Sequence, residues 1–405
     1  MNTAPLVHDI SGSYDAFHRL RVSEPQTIFD CKLLYDKQPS LWDDQRIAGN
    51  GTNSVFNSNQ ASVTLSVSSN IVGTHVRQTY QRFSYQPGKS QLILMTGVFG
   101  SNVTGVTKRM GCFDNSNGLF FQVGPDTNDF YIVKRSSVTG TPVDLKIPQS
   151  DWNKNKLLST DLISLDKTKA NIYYFNYEWL GVGDIFCGVA LGGKYIPLHQ
   201  FYVANTATTV SMSIPNLPLR YEISNNGTGK ADGLVCICTT VMSEGGQEHS
   251  GYLYSIDRDA NPLSITSSSI TYPIIAIRLK SGITGLNLYI ESFNIISTSN
   301  NVIYRWSIYR NPTIAGTALI WTSYPNNQFE FSNTNNTTTS MTGGTLLYSG
   351  YGVGAQNSAL TSSIAANISL GTSITGVSDV FVLGLERLDN QTNIFYASLT
   401  VRESI

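Results

Sequence analysis

Leu119-Phe120-Phe121, then Gly124-Pro125-Asp126, then Phe130-Tyr131-Ile132-Val133: two short apolar runs, rich in aromatic and β-branched residues, are parted by a turn signal. Runs of this kind read as strands and the Gly-Pro-Asp between them as a break in the chain's direction. The pattern spreads in both directions. Val63, Leu65 and Val67 alternate with Thr64 and Ser66, and Leu92-Ile93-Leu94-Met95 forms another run. Further on, Ile172–Phe175 and Ile185–Leu191 are joined through Trp179-Leu180-Gly181-Val182-Gly183. Strands that recur about every dozen residues with Gly, Asn and Pro between them imply a two-sheet antiparallel sandwich. Asp151 to Leu158 is the one tempting helix, and it is short.

A second β block follows. Leu286, Leu288 and Ile290 alternate, as do Val302, Tyr304, Trp306 and Ile308, then Phe381, Leu383 and Leu385, then Phe395, Ala397, Leu399 and Val401. Each set can line one face of a sheet. The Gly-, Ser- and Asp-rich segment Glu244 to Ser269 is the best linker candidate. The expected organisation is all-β: residues 1–48 an extended N-terminal arm, 49–246 a first antiparallel sandwich and 247–405 a second, jelly-roll or lectin-like in layout. The alternative for residues 1–48 is an ordinary first strand plus loops.

Between Glu330 and Asp379 no Asp, Glu, Lys or Arg occurs, and the whole chain carries 14% charged residues against about 25% in average chains. A free surface mixes charges of both signs, so residues 331–378 are expected to be buried or in contact. Their Ser, Thr, Asn and Gly suit short strands and tight turns.

Bulk composition excludes several tasks. A net charge of −1 offers no excess of cations for a phosphate backbone, so no nucleic acid is expected as a partner. No stretch approaches the roughly 20 apolar residues of a membrane span, and Met1 to Ile10 lacks the apolar core of a signal peptide. Cys31, Cys112, Cys187, Cys236 and Cys238 are an odd number of cysteines spread widely, which argues against a disulfide framework. Cys236 and Cys238, two apart on an apparent strand, share a face and read as small core residues. Manufacture in a reducing cytoplasm follows.

Catalytic signatures fail in turn: the chain has no Gly-x-Ser-x-Gly elbow, no Walker loop and no His-Glu-x-x-His. His8, His18, His75, His199 and His249 are scattered singly. Asp257-Arg258-Asp259-Ala260-Asn261 resembles the start of a calcium loop, but Pro262 stands where the sharp-turn glycine belongs and Ser268 where the closing Glu does. No metal and no cofactor are therefore expected. A glycosidase needs two carboxylates facing across a cleft, and Asp43-Asp44, Asp126 with Asp129, and Glu178 are the available acids. Tyr348 and Tyr351, among Gly350, Gly352 and Gly354, are candidates for an aromatic loop that stacks on sugar rings, against the plainer reading of a turn between strands. In the arm, Phe17, Leu20, Val22, Phe29 and Trp42 follow no single period. They are expected to pack on another subunit or along the base of the first domain, contributing on the order of 6 to 15 kcal/mol before ordering costs.

A series of motifs carries a family likeness. Ser13-Tyr14-Asp15-Ala16-Phe17-His18-Arg19-Leu20-Arg21-Val22-Ser23, Phe29-Asp30 and Leu41-Trp42-Asp43-Asp44 open it. Lys108-Arg109-Met110-Gly111-Cys112-Phe113-Asp114, Glu178-Trp179-Leu180-Gly181-Val182-Gly183, Pro215-Asn216-Leu217-Pro218-Leu219-Arg220-Tyr221-Glu222-Ile223 and Ile277-Arg278-Leu279-Lys280-Ser281-Gly282 continue it. Together they resemble β-rich virion structural proteins of tailed phages, many of them aquatic, and of some large DNA viruses. Cys112 departs from the pattern, standing where an aromatic or aliphatic residue is expected. The resemblance implies a non-enzymatic particle component located in the virion, with capsid or tail proteins as partners. Self-association as a homo-oligomer, with a trimer as the first guess, is expected with it. The alternative is a host-recognition module of a fibre that binds a surface glycan or other receptor; a polysaccharide-cleaving enzyme is the third class.

Overall fold

The computed structural model describes residues 24–126, 130–161, 163–248, 251–334, 337–354, 358–360, 369–390 and 392–404. Strands make up 56% of the structure and helical turns 2%, so the fold is all-β. The expected helix at Asp151 to Leu158 reduces to a 3-10 turn, Gln149–Asp151.

Two sheets enclose the first core. One has seven strands, in spatial order Val143–Pro148, Phe130–Ser136, Gly118–Val123, Val106–Phe113, Leu219–Asn226, Val72–Thr79 and Trp42–Gly49, all antiparallel. The other has eight. Lys194–Phe201, Ile185–Leu191, Asn171–Tyr177, Ser90–Val98, Asp232–Glu244, Ser62–Val67 and Thr52–Asn57 run side by side, and Pro25–Lys32 also pairs with Asp232–Glu244. Val63, Leu65 and Met95 of one sheet meet Met110, Leu119 and Phe121 of the other in one buried cluster.

The second sandwich repeats the principle. A six-stranded sheet, Thr322–Ser323, Phe329–Ser332, Thr271–Leu279, Val380–Arg387, Ile303–Arg310 and Thr345–Val353, packs on a five-stranded one built around Asn393–Ser404 and Asn287–Ser297. The alternating sets read from the sequence are its inner faces: Leu288 and Ile290, Val302 to Ile308, Phe381 to Leu385 and Phe395 to Val401 are buried in one cluster, with Leu286 packed against it. Period-2 alternation works here because one side of each strand is dry and the other wet.

Three expectations need correction. Residues 1–23, with Phe17, Leu20 and Val22, lie outside the described residues; from residue 24 the expected arm runs as two strands, one in each sheet of the first sandwich. Phe29 and Trp42 are not external anchors but inner-face residues, their rings 6.5 Å apart, with Trp42 also 5.9 Å from Tyr221. Register shifts between Thr27 and Phe29 and between Arg46 and Ala48 insert an odd residue into each strand and erase the period. The linker is shorter than Glu244 to Ser269, because Tyr252–Asp257 and Leu263–Ile265 are strands of the second sandwich. The same kind of irregularity lies between Cys236 and Thr239: Cys236 is buried, while Cys238 is only partly so. All five cysteines are free thiols.

Inside the rim of the first sandwich sits a charged network. Trp42 and Asp44, two apart, point inward, and the Arg77 guanidinium lies 4.7 Å over the Trp42 ring. Arg77 Nη1 donates to Asp44 Oδ2 (3.1 Å), Ser54 Oγ donates to the same oxygen (2.6 Å) and His75 Nε2 is 2.6 Å from Oδ1. Burial alone would raise the Asp44 carboxyl, but the hydrogen bonds from His75 and Ser54 and the charge of Arg77 outweigh it and hold it at about 2. Since that lies below the ordinary 3.8, the contribution is complete above about pH 4 and is lost as pH falls through 2. Asp44→Asn should cost about 2 kcal/mol at pH 7 and flatten the acid limb of a denaturant-midpoint profile between pH 4 and 2; an unchanged acid limb would show that Asp44 is not what the fold loses there.

Candidate functional site

The outer face of the seven-stranded sheet is the unusual surface of the molecule. In Leu219–Asn226, Leu219, Tyr221 and Ile223 fill the core, so the intervening Arg220 and Glu222 face outward. Cross-strand partners place Gln78 and Gly111 on either side of Arg220 and Arg109 beside Glu222. Gly111 matters sterically: a Cβ there would sit 2.1 Å from the Leu119 carbonyl oxygen and 2.7 Å from Phe120 Cβ. Into that dip Phe113 and Phe120 pack with ring centroids 4.4 Å apart. Guanidiniums roof them: Arg135 lies 5.1 Å and Arg109 5.8 Å from the Phe120 ring, and Arg220 5.4 Å from Phe113. Such stacking favours Arg over Lys because a planar, weakly hydrated cation loses little on desolvation.

The second sandwich closes one side of this surface. Asp43, outward on the strand whose neighbours Trp42 and Asp44 point inward, accepts the Ile374 amide at 2.7 Å. The Thr372 amide donates to the Tyr80 carbonyl at 3.1 Å, Arg310 lies 4.7 Å over the Tyr80 ring, and Asn216 Nδ2 donates to the Gly285 carbonyl at 2.7 Å. Asn287 Nδ2 donates to Ser84 Oγ. Gly371 is required here, since a Cβ would come within 2.8 Å of the Tyr80 backbone. The loop is braced from behind by Asp379, which accepts the Gly371 amide at 3.1 Å and Asn311 Nδ2 at 2.6 Å.

Between the sandwiches these contacts leave a cleft of about 670 Å³. The first sandwich lines it with Arg82, Asp114, Ser116 and Arg220; the second adds Arg278, Ser281, Thr284 and the hairpin 373–378. Arg82 and Asp114 form a buried pair at 2.7 Å. Burial would push the Asp114 carboxyl up, but Arg82 and the Ser116 and Asn117 amides hold it below the usual range. Arg220 Nη1 donates to Asn115 Oδ1 at 2.8 Å and stands 3.7 Å from Glu222, while its Nε is buried with no partner among the described residues. Arg278 pairs with Glu330 at 2.8 Å and lies 4.1 Å over the Trp321 ring.

A second exposed feature belongs to the uncharged segment. Thr345–Val353 is an outer strand of the six-stranded sheet, paired to Ile303–Arg310 and, among the described residues, to nothing on its other side. Leu346, Tyr351 and Val353 stand 47%, 70% and 55% exposed. The structure does not bring Tyr348 and Tyr351 together. Tyr348 pairs with the inward Ile308 and packs on the second core, and Tyr351 pairs with Arg305, so an odd separation puts them on opposite faces. Gly350 serves another purpose: a Cβ would meet the Trp306 ring at 2.4 Å.

The glycosidase acids are likewise dispersed. Asp43 and Asp44 face opposite ways, Asp126 sits in the turn after the Gly124-Pro125 peptide with Asn102 donating to its carbonyl, Glu178 lies against Gly183, and Asp129 is outside the described residues. The cleft arginines escaped the sequence reading. Their signal was a charge alternating with core residues, as in Leu219-Arg220-Tyr221.

No family model and no curated protein matches the chain. Among solved structures, a glycoside hydrolase family protein from Mycobacterium thermorestibile is similar at 9% identity and TM-score 0.38, over 53% of this chain and 99% of that one. A glycosyl hydrolase family 16 protein from Mycobacterium smegmatis is similar at 7% and 0.36, over 53% and 100%. A legume lectin-like domain from Entamoeba histolytica is similar at 9% and 0.33, over 53% and 96%.

If the Asp43 bond holds the hairpin, Asp43→Ala should speed hydrogen exchange of the Ile374 amide roughly 10- to 100-fold, as for loss of a bond to a charged group. Amides of Leu219–Asn226 should be unaffected. Unchanged exchange at Ile374 would mean that the other junction contacts suffice.

Proposed function

We propose that this protein is a non-enzymatic structural component of a virus particle that docks on capsid or tail proteins and associates with copies of itself. The observation that carries the proposal is the Thr345–Val353 edge. It is nine residues long, free of charge and proline, and displays Leu346, Tyr351 and Val353 beside the exposed Ile303. Proteins that stay monomeric guard such an edge with Lys, Pro or a covering loop. Unpaired on one side among the described residues, its row of N–H and C=O groups is suited to pairing with a neighbour's strand while the apolar side chains fill its pockets.

The motif series from Ser13 to Gly282 supports the virion assignment, and the low charge density suits extensive contact with neighbours. The cleft does not fit two-carboxylate glycoside cleavage: among the described residues its lining has one carboxylate, Asp114, already paired with Arg82, whereas that chemistry uses two, one with a raised pKa. A second reading, recognition of a surface glycan, is favoured by the arginine- and hydroxyl-lined cleft rather than by Tyr348 and Tyr351.

The docking role is tested by Tyr351→Lys combined with Val353→Lys, which charge the edge without touching either core. The doubly substituted protein should fold with an unchanged thermal midpoint but lose self-association in light scattering. It should also incorporate into particles at least about tenfold less well, as expected when like charges oppose across a paired edge. Normal incorporation would refute the edge as the docking surface.

A further inference from the structure

We infer that the cleft between the two sandwiches binds an acidic oligosaccharide, one with a carboxylate on its sugar ring; this rests on the glycan-recognition reading and names its ligand class. Three properties point there. The volume, about 670 Å³, lies within the span of small-ligand pockets and suits a chain of two or three rings.

The donors are of two kinds. Arg220 and Arg278 enter from opposite sandwiches; Arg278 uses Nε and Nη2 on Glu330, which leaves Nη1 to donate to a ligand carboxylate. Between them stand the hydroxyls of Ser116, Ser281, Thr284 and Ser373, which suit the hydroxyl groups of a sugar.

The charge balance narrows the class further. Arg82, Arg220 and Arg278 face Asp114, Glu222 and Glu330, so the surroundings are close to neutral. A polyphosphate or nucleic-acid strand, with a charge on every unit, would need a surplus of cations. A sparsely charged polyhydroxyl chain needs only unsatisfied donors, and one is present. Arg220 is 2% exposed, and its Nε has no acceptor among the described residues, a condition that costs free energy and that a shift of the side chain toward a bound acceptor would relieve. Burial pushes its guanidinium down from the ordinary value, in keeping with a cation short of partners.

Titration calorimetry of the full chain with sialyllactose, which carries one carboxylate on three rings, its methyl ester and neutral maltotriose tests the inference. The acid should bind, and esterification or Arg278→Gln should each weaken it at least roughly tenfold, the loss of one charge-assisted contact. Arg278 is partly exposed and its replacement leaves both cores intact; Arg220→Lys, checked for folding by circular dichroism, should weaken binding similarly. Maltotriose bound as tightly as the acid would overturn the acidic class and leave glycan recognition standing. Binding of none of the three would overturn both. Binding of the acid that survives Arg278→Gln undiminished would place the site elsewhere and overturn the assignment to the cleft.

Discussion

A single carboxylate on the outside of the first sandwich fixes what the second one can do. Asp43 accepts the Ile374 amide, and from that bond outward the hairpin 372–378, the Tyr80 contacts and the arginine-lined cleft take their positions. A hydrogen bond between a charged acceptor and a backbone amide contributes about 1.5 to 3 kcal/mol when shielded from water, and here both partners are buried. Charges bracket the neutral segment in the same spirit: Glu330 is tied to Arg278 and Asp379 to Asn311 and Gly371. Within the stretch between them the hairpin 373–378 lines the cleft, and Thr345–Val353 is a sheet edge unpaired on one side among the described residues. Unpaired charge would be costly in the first place and would block pairing in the second.

How far the fold could be read from the sequence depended on whether each strand kept its period. Phe395, Ala397, Leu399 and Val401 alternate without interruption, and all four lie in the second core; Val63, Leu65 and Val67 do the same in the first. The strands holding Phe29 and Trp42 could not be read, since a bulge in each breaks the alternation within a few residues and makes an integral strand look like a strap. Cys238 leaves the core face for the same reason, the irregularity after Cys236. Tyr348 and Tyr351 are close in the chain, but an odd separation on a strand sends their side chains to opposite faces.

The cleft was the least legible part. Its walls come from segments near residues 78–116, 220, 278–284 and 373–378, and nothing local signals that they meet. What the sequence did hold was a set of anomalies: Arg220 between Leu219 and Tyr221, and Gly111 in the middle of a strand. Each is unfavourable in isolation, the first as a buried cation and the second as a strand residue without a side chain. Both make sense only on an outer face that is itself covered. Local inconsistencies of this type mark places where a fold has been shaped for contact rather than for stability alone.

On the proposed role, this chain is a particle component held through the Thr345–Val353 edge. Cryo-electron microscopy of intact virions tests it most directly, because the map shows both the chain and its neighbour. Density for both sandwiches is expected, with a neighbouring strand hydrogen-bonded along Thr345–Val353 and the cleft open to solvent. Virions without the chain, or with that edge facing water while another surface makes the contacts, would contradict it.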